Sequence, residues 1–182
     1  ALRGDKPKDT DPEPSDFEYA NELVTYLKSL NDFSMAVAGY PEKHIDALNI
    51  ETDLINLKRK VDAGADVVIT QLFYNNADYY SFVDKARTAG IQVPIVPGIL
   101  PIQSLKQVKR ILSFCGSKLP AELEQKLIAC EDDVEAMRKV GVEHAIHECR
   151  DLIDHKVPGI HFYCLNKADT VLKITDACKD LL

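Results

Sequence analysis

Ala63-Gly64-Ala65-Asp66-Val67-Val68-Ile69-Thr70-Gln71-Leu72-Phe73-Tyr74 holds a helix exit, an apolar strand and a polar side chain at the strand's far end. Gly64 can adopt the left-handed conformation that closes a helix. Val67-Val68-Ile69 shows no polar alternation, as expected of a parallel strand covered on both faces. Gln71 then stands at the strand's carboxyl end, where ligands sit in parallel α/β architectures because the loops that follow converge there.

Working outward from this strand, the same rhythm recurs. Upstream, residues 1–5 read as the end of a strand and a glycine turn, so the chain starts as though cut from a longer fold. Residues 6–15, with three prolines, read as a loop. Asp16 is expected to cap a helix over 17–30 with an apolar stripe of Tyr19, Leu23, Tyr26, Leu27 and Leu30. A strand over 33–39, a loop with Pro41 and His44, and a helix over 50–63 lead back to the opening stretch. Downstream, Asn75 or Asn76 caps a helix to Ala89 that Gly90 closes, and a short strand over 93–97 follows, with a proline at each end. Ser104 caps a helix through Phe114, stopped by Gly116. Pro120 starts another to about Cys130, and Asp132 or Asp133 one more to about His155, open to a kink at Gly141. A last strand over 159–164 and a closing helix from Ala168 complete the chain.

Four strands, each separated by helices, make a parallel α/β pattern. The helices return about every thirty residues, which fits either a doubly wound sheet or part of a (β/α)8 barrel. At 182 residues the chain falls short of the ~250 typical of a whole barrel.

Composition narrows the function. With 46% hydrophobic and 28% charged residues the chain suits one globular domain. A net charge of −7, with Lys and Arg mixed among acids, argues against nucleic acid as a partner. No apolar run approaches the ~18 residues of a membrane span. The five cysteines form no C-x-x-C pair, which favours buried thiols in a reducing, cytoplasmic setting over a disulfide frame or zinc site. The eight glycines nowhere form G-x-G-x-x-G or a phosphate-binding Walker loop, so a Rossmann-type dinucleotide site has no support.

If the strands are parallel, their carboxyl ends gather Arg3, Gly4 and Asp5, then Tyr40 and His44, Gln71, Gly98, and Tyr163, Asn166 and Lys167. Each alone has an ordinary structural reading as a turn cap, a packed aromatic or a satisfied amide. Together on one rim they point to a functional face. His144, His147, Glu148 and Cys149 fit no zincin pattern and read as a solvated helix face. His161 reads as a core or rim histidine.

Several motifs in order resemble the methylenetetrahydrofolate reductase family: Val37-Ala38-Gly39-Tyr40-Pro41 with His44; Asp53 to Lys60; Asp62-Ala63-Gly64-Ala65-Asp66 through Thr70-Gln71-Leu72-Phe73; Pro97-Gly98-Ile99-Leu100-Pro101-Ile102; and Gly159-Ile160-His161-Phe162-Tyr163-Cys164-Leu165-Asn166-Lys167. The resemblance implies a flavin-containing (β/α)8 TIM-type barrel, present here from the end of strand four through strand eight and its final helix, residues 1–182 forming one partial catalytic domain. It implies FAD as cofactor, NADH or NADPH as reductant, and ping-pong hydride transfer to 5,10-methylenetetrahydrofolate, giving 5-methyltetrahydrofolate.

The resemblance also assigns roles. Arg3, Gly4 and Asp5 match a turn against the flavin, with Asp5 also near the pterin, where a negative charge tunes hydride donation. Tyr19 and Ala20 match the adenine half of the cofactor. Tyr40, His44, Ile45, Asp46, Ala47, Asp53 and Lys60 match the remaining flavin positions, His44 and Lys60 suiting phosphate and Asp53 the ribose or ribityl hydroxyls. Gln71, Tyr163 and Lys167 match folate positions, with Gln107 as a further candidate; Asp5 and Gln71 carry the catalytic assignments. Cys164 stands where the family has threonine and Lys167 where it has arginine, and lysine cannot make a bidentate carboxylate clamp. The family's proton-donating glutamate belongs to an upstream Glu-Phe-Phe-Pro-Pro-like segment that this sequence does not contain. An open half-barrel exposes strand edges, so self-association is expected. The alternative is a short form that binds a ligand or partner without catalysis.

Overall fold

The computed structural model describes residues 1–2, 16–30 and 32–181. Arg3, Gly4 and Asp5, with the proline-containing segment after them, lie outside the described residues. Four strands, β1 (Ala36–Gly39), β2 (Val67–Leu72), β3 (Ile95–Ile99) and β4 (His161–Phe162), form one sheet in the order β1-β2-β3-β4, and every pair is parallel. The connecting helices are α1 (Ala20–Ser29), α2 (Ile50–Asp62), α3 (Asn76–Thr88), α4 (Leu105–Cys115), α5 (Ala121–Ile128), α6 (Val134–Asp154) and α7 (Ala168–Ala177). A doubly wound sheet reverses its strand order at a switch point; here each strand lies beside its sequence neighbour, the order of a barrel segment.

The helix boundaries follow local chemistry. Asn49, Asn75, Ser104 and Asp133 cap α2, α3, α4 and α6, each side chain accepting a hydrogen bond from a first-turn amide. Gly64, Gly90 and Gly116 follow helix ends at positive φ, as their places in the sequence predict. The first helix departs from expectation. It starts at Ala20 rather than beside Asp16, because the Glu22 carboxylate accepts from the amides of Glu18 and Tyr19 and fixes the start there. The first strand is shorter than 33–39 and the last shorter than 159–164.

Burial along β2 alternates, which corrects the expectation of a strand covered on both faces. Val37, Val68 and Ile95 form one row across the sheet and are buried with Val24, Leu57 and Phe82 from the helices. The neighbouring row, Ala38, Ile69 and Val96, is only half-buried, and it lies on the face that lines the interior of a barrel. A second apolar cluster lies at the carboxyl side, where Leu72 and Tyr74 meet Ile102, Leu123, Leu127 and Met137. Gly141 does not kink α6. It lets that helix approach the Ile102 carbonyl more closely than a Cβ would permit.

The thiols are all free among the described residues, but only Cys149 and Cys178 are buried, and Cys164 is exposed. Glu148 and Cys149 are also buried, at 3% and 1% exposure, so the expected solvated face of α6 is solvated at His147 and closed one residue further on. No described helix is long and apolar enough to cross a membrane.

Candidate active site

The rim is organised by an irregularity between β2 and β3. Ile69 pairs with Val96 and Leu72 with Gly98, so Thr70 and Gln71 together stand opposite Pro97 alone. Proline has no N–H to donate to the ladder, and a bulge at this point absorbs the missing bond. The Thr70 hydroxyl, fully buried, replaces a carbonyl by accepting from Gly98 N at 2.9 Å. The Thr70 carbonyl accepts from the Tyr163 hydroxyl at 2.8 Å, which binds β4 to β2 across β3. Only glycine fits at position 98: a Cβ would lie inside contact distance of the Thr70 carbonyl and 2.7 Å from the Tyr163 ring.

Gln71 sits half-buried on this bulge, and its Oε1 accepts from Leu72 N at 2.9 Å. Its amide oxygen is therefore engaged, leaving the NH2 to meet a ligand. Tyr163 is similarly committed, since its hydroxyl serves the Thr70 carbonyl and its ring meets the His161 ring edge-on at 4.8 Å. The ring face and edge, rather than the hydroxyl, are what it can offer.

A second constellation follows β1. The chain turns at Lys43, at φ 80°, and the Lys43 ammonium donates to the carbonyls of His44 and Ala47 at 3.0 and 2.6 Å. His44 Nδ1 accepts from Asp46 N at 3.0 Å, and the His44 amide donates to the Asp53 carboxylate at 3.0 Å. The Tyr40 and His44 rings meet edge-to-face at 4.6 Å, and the Lys60 ammonium lies 5.8 Å from the Tyr40 ring centre. Tyr40, His44, Ile45, Asp46, Ala47, Asp53 and Lys60 are thus brought to one loop and the helix beneath it.

The charges here are held under tension. Burial pushes the Asp53 carboxyl above its ordinary range, opposed by the His44 amide and the Lys60 charge. Burial lowers Lys60 to about 8, with Asp53 opposing, and its Nζ donates to the Ala38 carbonyl at 2.5 Å. A half-buried ammonium whose pKa is depressed by desolvation, set beside a loop at the strand ends, marks Lys60 as a candidate binding residue.

Tyr19, Ala20, Gln107 and Lys167 belong to helices that begin on the same side. Lys28, near the end of α1, approaches Asp66 at the start of β2 at 3.8 Å, so α1 runs against the strands and carries Tyr19 and Ala20 towards the carboxyl rim. Gln107 is exposed in the first turn of α4, and Lys167 is exposed at the start of α7 after left-handed Leu165 and Asn166. Glu42 and Ser117 carry no motif that marks them in the sequence. The Glu42 carboxylate accepts from Lys118 N at 3.1 Å through both oxygens, and Ser117 Oγ donates to the Leu72 carbonyl at 2.9 Å. The α4–α5 connection is thereby pinned to both the β1 loop and the end of β2.

Comparison with known proteins identifies the family. Residues 1–179 match the family model for methylenetetrahydrofolate reductase. The 5,10-methylenetetrahydrofolate reductase of Escherichia coli (strain K12) is 43% identical over 170 residues, 93% of this chain and 56% of that protein. Methylenetetrahydrofolate reductase 1 of Schizosaccharomyces pombe is 42% identical over 180 residues, covering 97% of this chain and 30% of its own length. The chain therefore spans about half the length of the bacterial relative and less of the fungal one. A solved structure from Clostridium thermocellum, described as binding two copies of 5-methyl-5,6,7,8-tetrahydrofolic acid, superimposes with a TM-score of 0.59 at 19% identity, over 89% of this chain and 59% of that one, and shows a shared fold. The parallel α/β segment described here belongs to the methylenetetrahydrofolate reductase family.

Proposed function

We propose that residues 1–182 form the C-terminal portion of a reductase barrel that binds FAD along the β1 loop and folate over the β2–β3 bulge. The reaction is reduction of 5,10-methylenetetrahydrofolate to 5-methyltetrahydrofolate at the expense of NADH or NADPH. The single observation that carries the reading is the half-buried Lys60 ammonium beside Tyr40 and the His44 loop, with its pKa lowered to about 8. A pyrophosphate there offsets the cost of burying that charge, and the donor set suits it.

FAD, when bound, supplies a carrier that accepts hydride from the nicotinamide and later gives it to the folate. This chain's residues hold and orient. Lys60 and His44 meet phosphate, Asp53 accepts from ribose or ribityl hydroxyls, and Tyr40, Ile45, Asp46 and Ala47 shape the loop, with Tyr19 and Ala20 beside the adenine. The Gln71 NH2 donates to a pterin acceptor, and the Tyr163 ring packs against the folate. Lys167 meets the glutamate tail as a single point charge, and Gln107 flanks it. Arg3, Gly4 and Asp5 complete the flavin side, and the proton donor comes from the part of the barrel upstream of this sequence. The half-buried interior row of the sheet is covered by that part or by a second copy.

The test is FAD titration of the purified chain, followed by visible absorbance after gel filtration and by thermal stability from pH 7 to 10. Retained flavin, lost in Lys60→Met, supports the reading; so does flattening of the pH dependence of stability, because a bound anion raises the Lys60 pKa. Equal FAD retention by Lys60→Met overturns the phosphate role. Failure to retain FAD by this chain, followed by equal failure of a full-length barrel carrying these residues, overturns the cofactor assignment.

A further inference from the structure

A groove of about 880 Å³ opens between α3, α5 and α6, with Tyr80, Leu123, Val140 and His147 among its walls. Its size is that of a small-molecule site. On its floor are Asn76, His144 and Glu148, none of them among the residues assigned to cofactor or folate above.

The floor is unusual because three of its buried atoms, Glu148 Oε1, Asn76 Oδ1 and His144 Nε2, have no hydrogen-bond partner. The Asn76 orientation is fixed by chemistry: its Nδ2 donates to the Asp151 carboxylate at 2.6 Å and to the Glu148 carbonyl at 3.1 Å, so its oxygen must face the other way. His144 Nε2 lies 3.4 Å from Glu148 Oε2 without making a hydrogen bond there. Asn76 Oδ1 accepts in every state, Glu148 Oε1 accepts when its carboxyl is ionised, a form that burial opposes and a bound cation favours, and the histidine nitrogen becomes a third acceptor when the ring carries its proton on Nδ1. Leaving a buried carboxylate oxygen without a donor is costly, so the floor calls for a group rich in N–H.

The walls agree. Glu122, Glu143 and Asp151 line the groove with Glu148, against Lys126 as the one obligatory cation among the described residues of the lining. The Tyr80 hydroxyl donates to Asp151 at 2.6 Å, which turns the ring into a wall. We propose that this groove binds a small organic primary ammonium compound, its three N–H donors meeting Glu148, Asn76 and His144 and its hydrocarbon body lying against Tyr80 and Leu123. This does not rest on the flavin or folate reading.

The experiment is an NMR titration of the isotopically labelled chain with n-butylammonium, and separately with tetramethylammonium, at neutral pH. The expected result is saturable binding of butylammonium with Kd on the order of 1 mM, moving the Asn76 side-chain amide and the His144 ring. Tetramethylammonium, which carries the charge without N–H donors, does not saturate. Glu148→Gln, nearly isosteric, weakens butylammonium at least about tenfold. Equal response to both cations overturns the proposal without needing any variant, as it reflects surface charge alone. No saturation overturns it too, leaving the floor to water. Self-association of the chain that butylammonium dissolves also overturns it, assigning the site to a lysine of a second copy.

Discussion

Replacing Gly98 with alanine tests the account of the rim at its tightest point. Gly98 does not have positive φ, so the substitution carries no conformational penalty and its cost is steric. The added Cβ falls under 3.0 Å from both the Thr70 carbonyl and the Tyr163 ring. One of these is backbone and the other is tied by its hydroxyl to the same carbonyl, so neither can swing away. Relief requires β2 and β3 to part by about 1 Å. That stretches Gly98 N to Thr70 Oγ1 from 2.9 Å and Tyr163 Oη to Thr70 O from 2.8 Å, beyond useful bonding length. Two lost bonds at about 1 kcal/mol each, with overpacking of about 1–3 kcal/mol, give about 4 kcal/mol. For a chain of this size that lowers Tm by about 8–16 °C. Thermal unfolding by circular dichroism measures it, with Tyr163→Phe as the companion that removes one bond and no space, costing about 1 kcal/mol. A Gly98→Ala protein within about 3 °C of the parent would refute the bulge as described, because the strands would then be able to part freely.

Four further substitutions read other parts of the fold. Lys60 is protonated in the unfolded chain up to its ordinary 10.5 but only to about 8 when folded, so stability rises with pH across that window. Lys60→Met should abolish the rise and stabilise the apo chain at pH 7 by up to about 3 kcal/mol; an unchanged slope in chemical denaturation would assign it to another group. Glu42→Ala releases Lys118 N, and hydrogen exchange at that amide should speed up about tenfold while global stability falls by only about 1 kcal/mol. Asp66→Ala removes the acceptor of Met35 N at 2.7 Å and should cost about 1.5–3 kcal/mol in urea denaturation, whereas Lys28→Ala, losing only an exposed 3.8 Å ion pair with the same carboxylate, should change stability by less than about 0.5 kcal/mol.

Much of this fold was legible because it depends on near neighbours in sequence. Asn75 and Ser104 cap helices through residues two and three positions on, and Gly64, Gly90 and Gly116 end them through their own φ. Such signals need no partner from elsewhere, so the alternation of strands and helices emerged in the right order. Boundaries failed where a competing local bond intervened, as when Glu22 set the start of α1 that Asp16 was expected to set.

What the sequence withheld depends on contacts between strands and helices far apart in the chain. A threonine inside Val-Val-Ile-Thr-Gln looks like an ordinary β-branched strand residue; it becomes the keystone of the rim only because Pro97, on the next strand, has no amide to offer. The same holds for Glu148. Its i−4 neighbour His144 was visible on the helix, but the burial that strips its carboxylate of water comes from the packing around α6, with Asn76 of α3 bonded to its own backbone carbonyl. In both places the strain on a polar side chain is created by a partner elsewhere in the chain. The two differ in outcome: Thr70 has both its polar groups answered within the chain, so it fixes geometry, while Glu148 keeps an oxygen unanswered, and a buried acceptor left open is what a donor from outside the chain can fill.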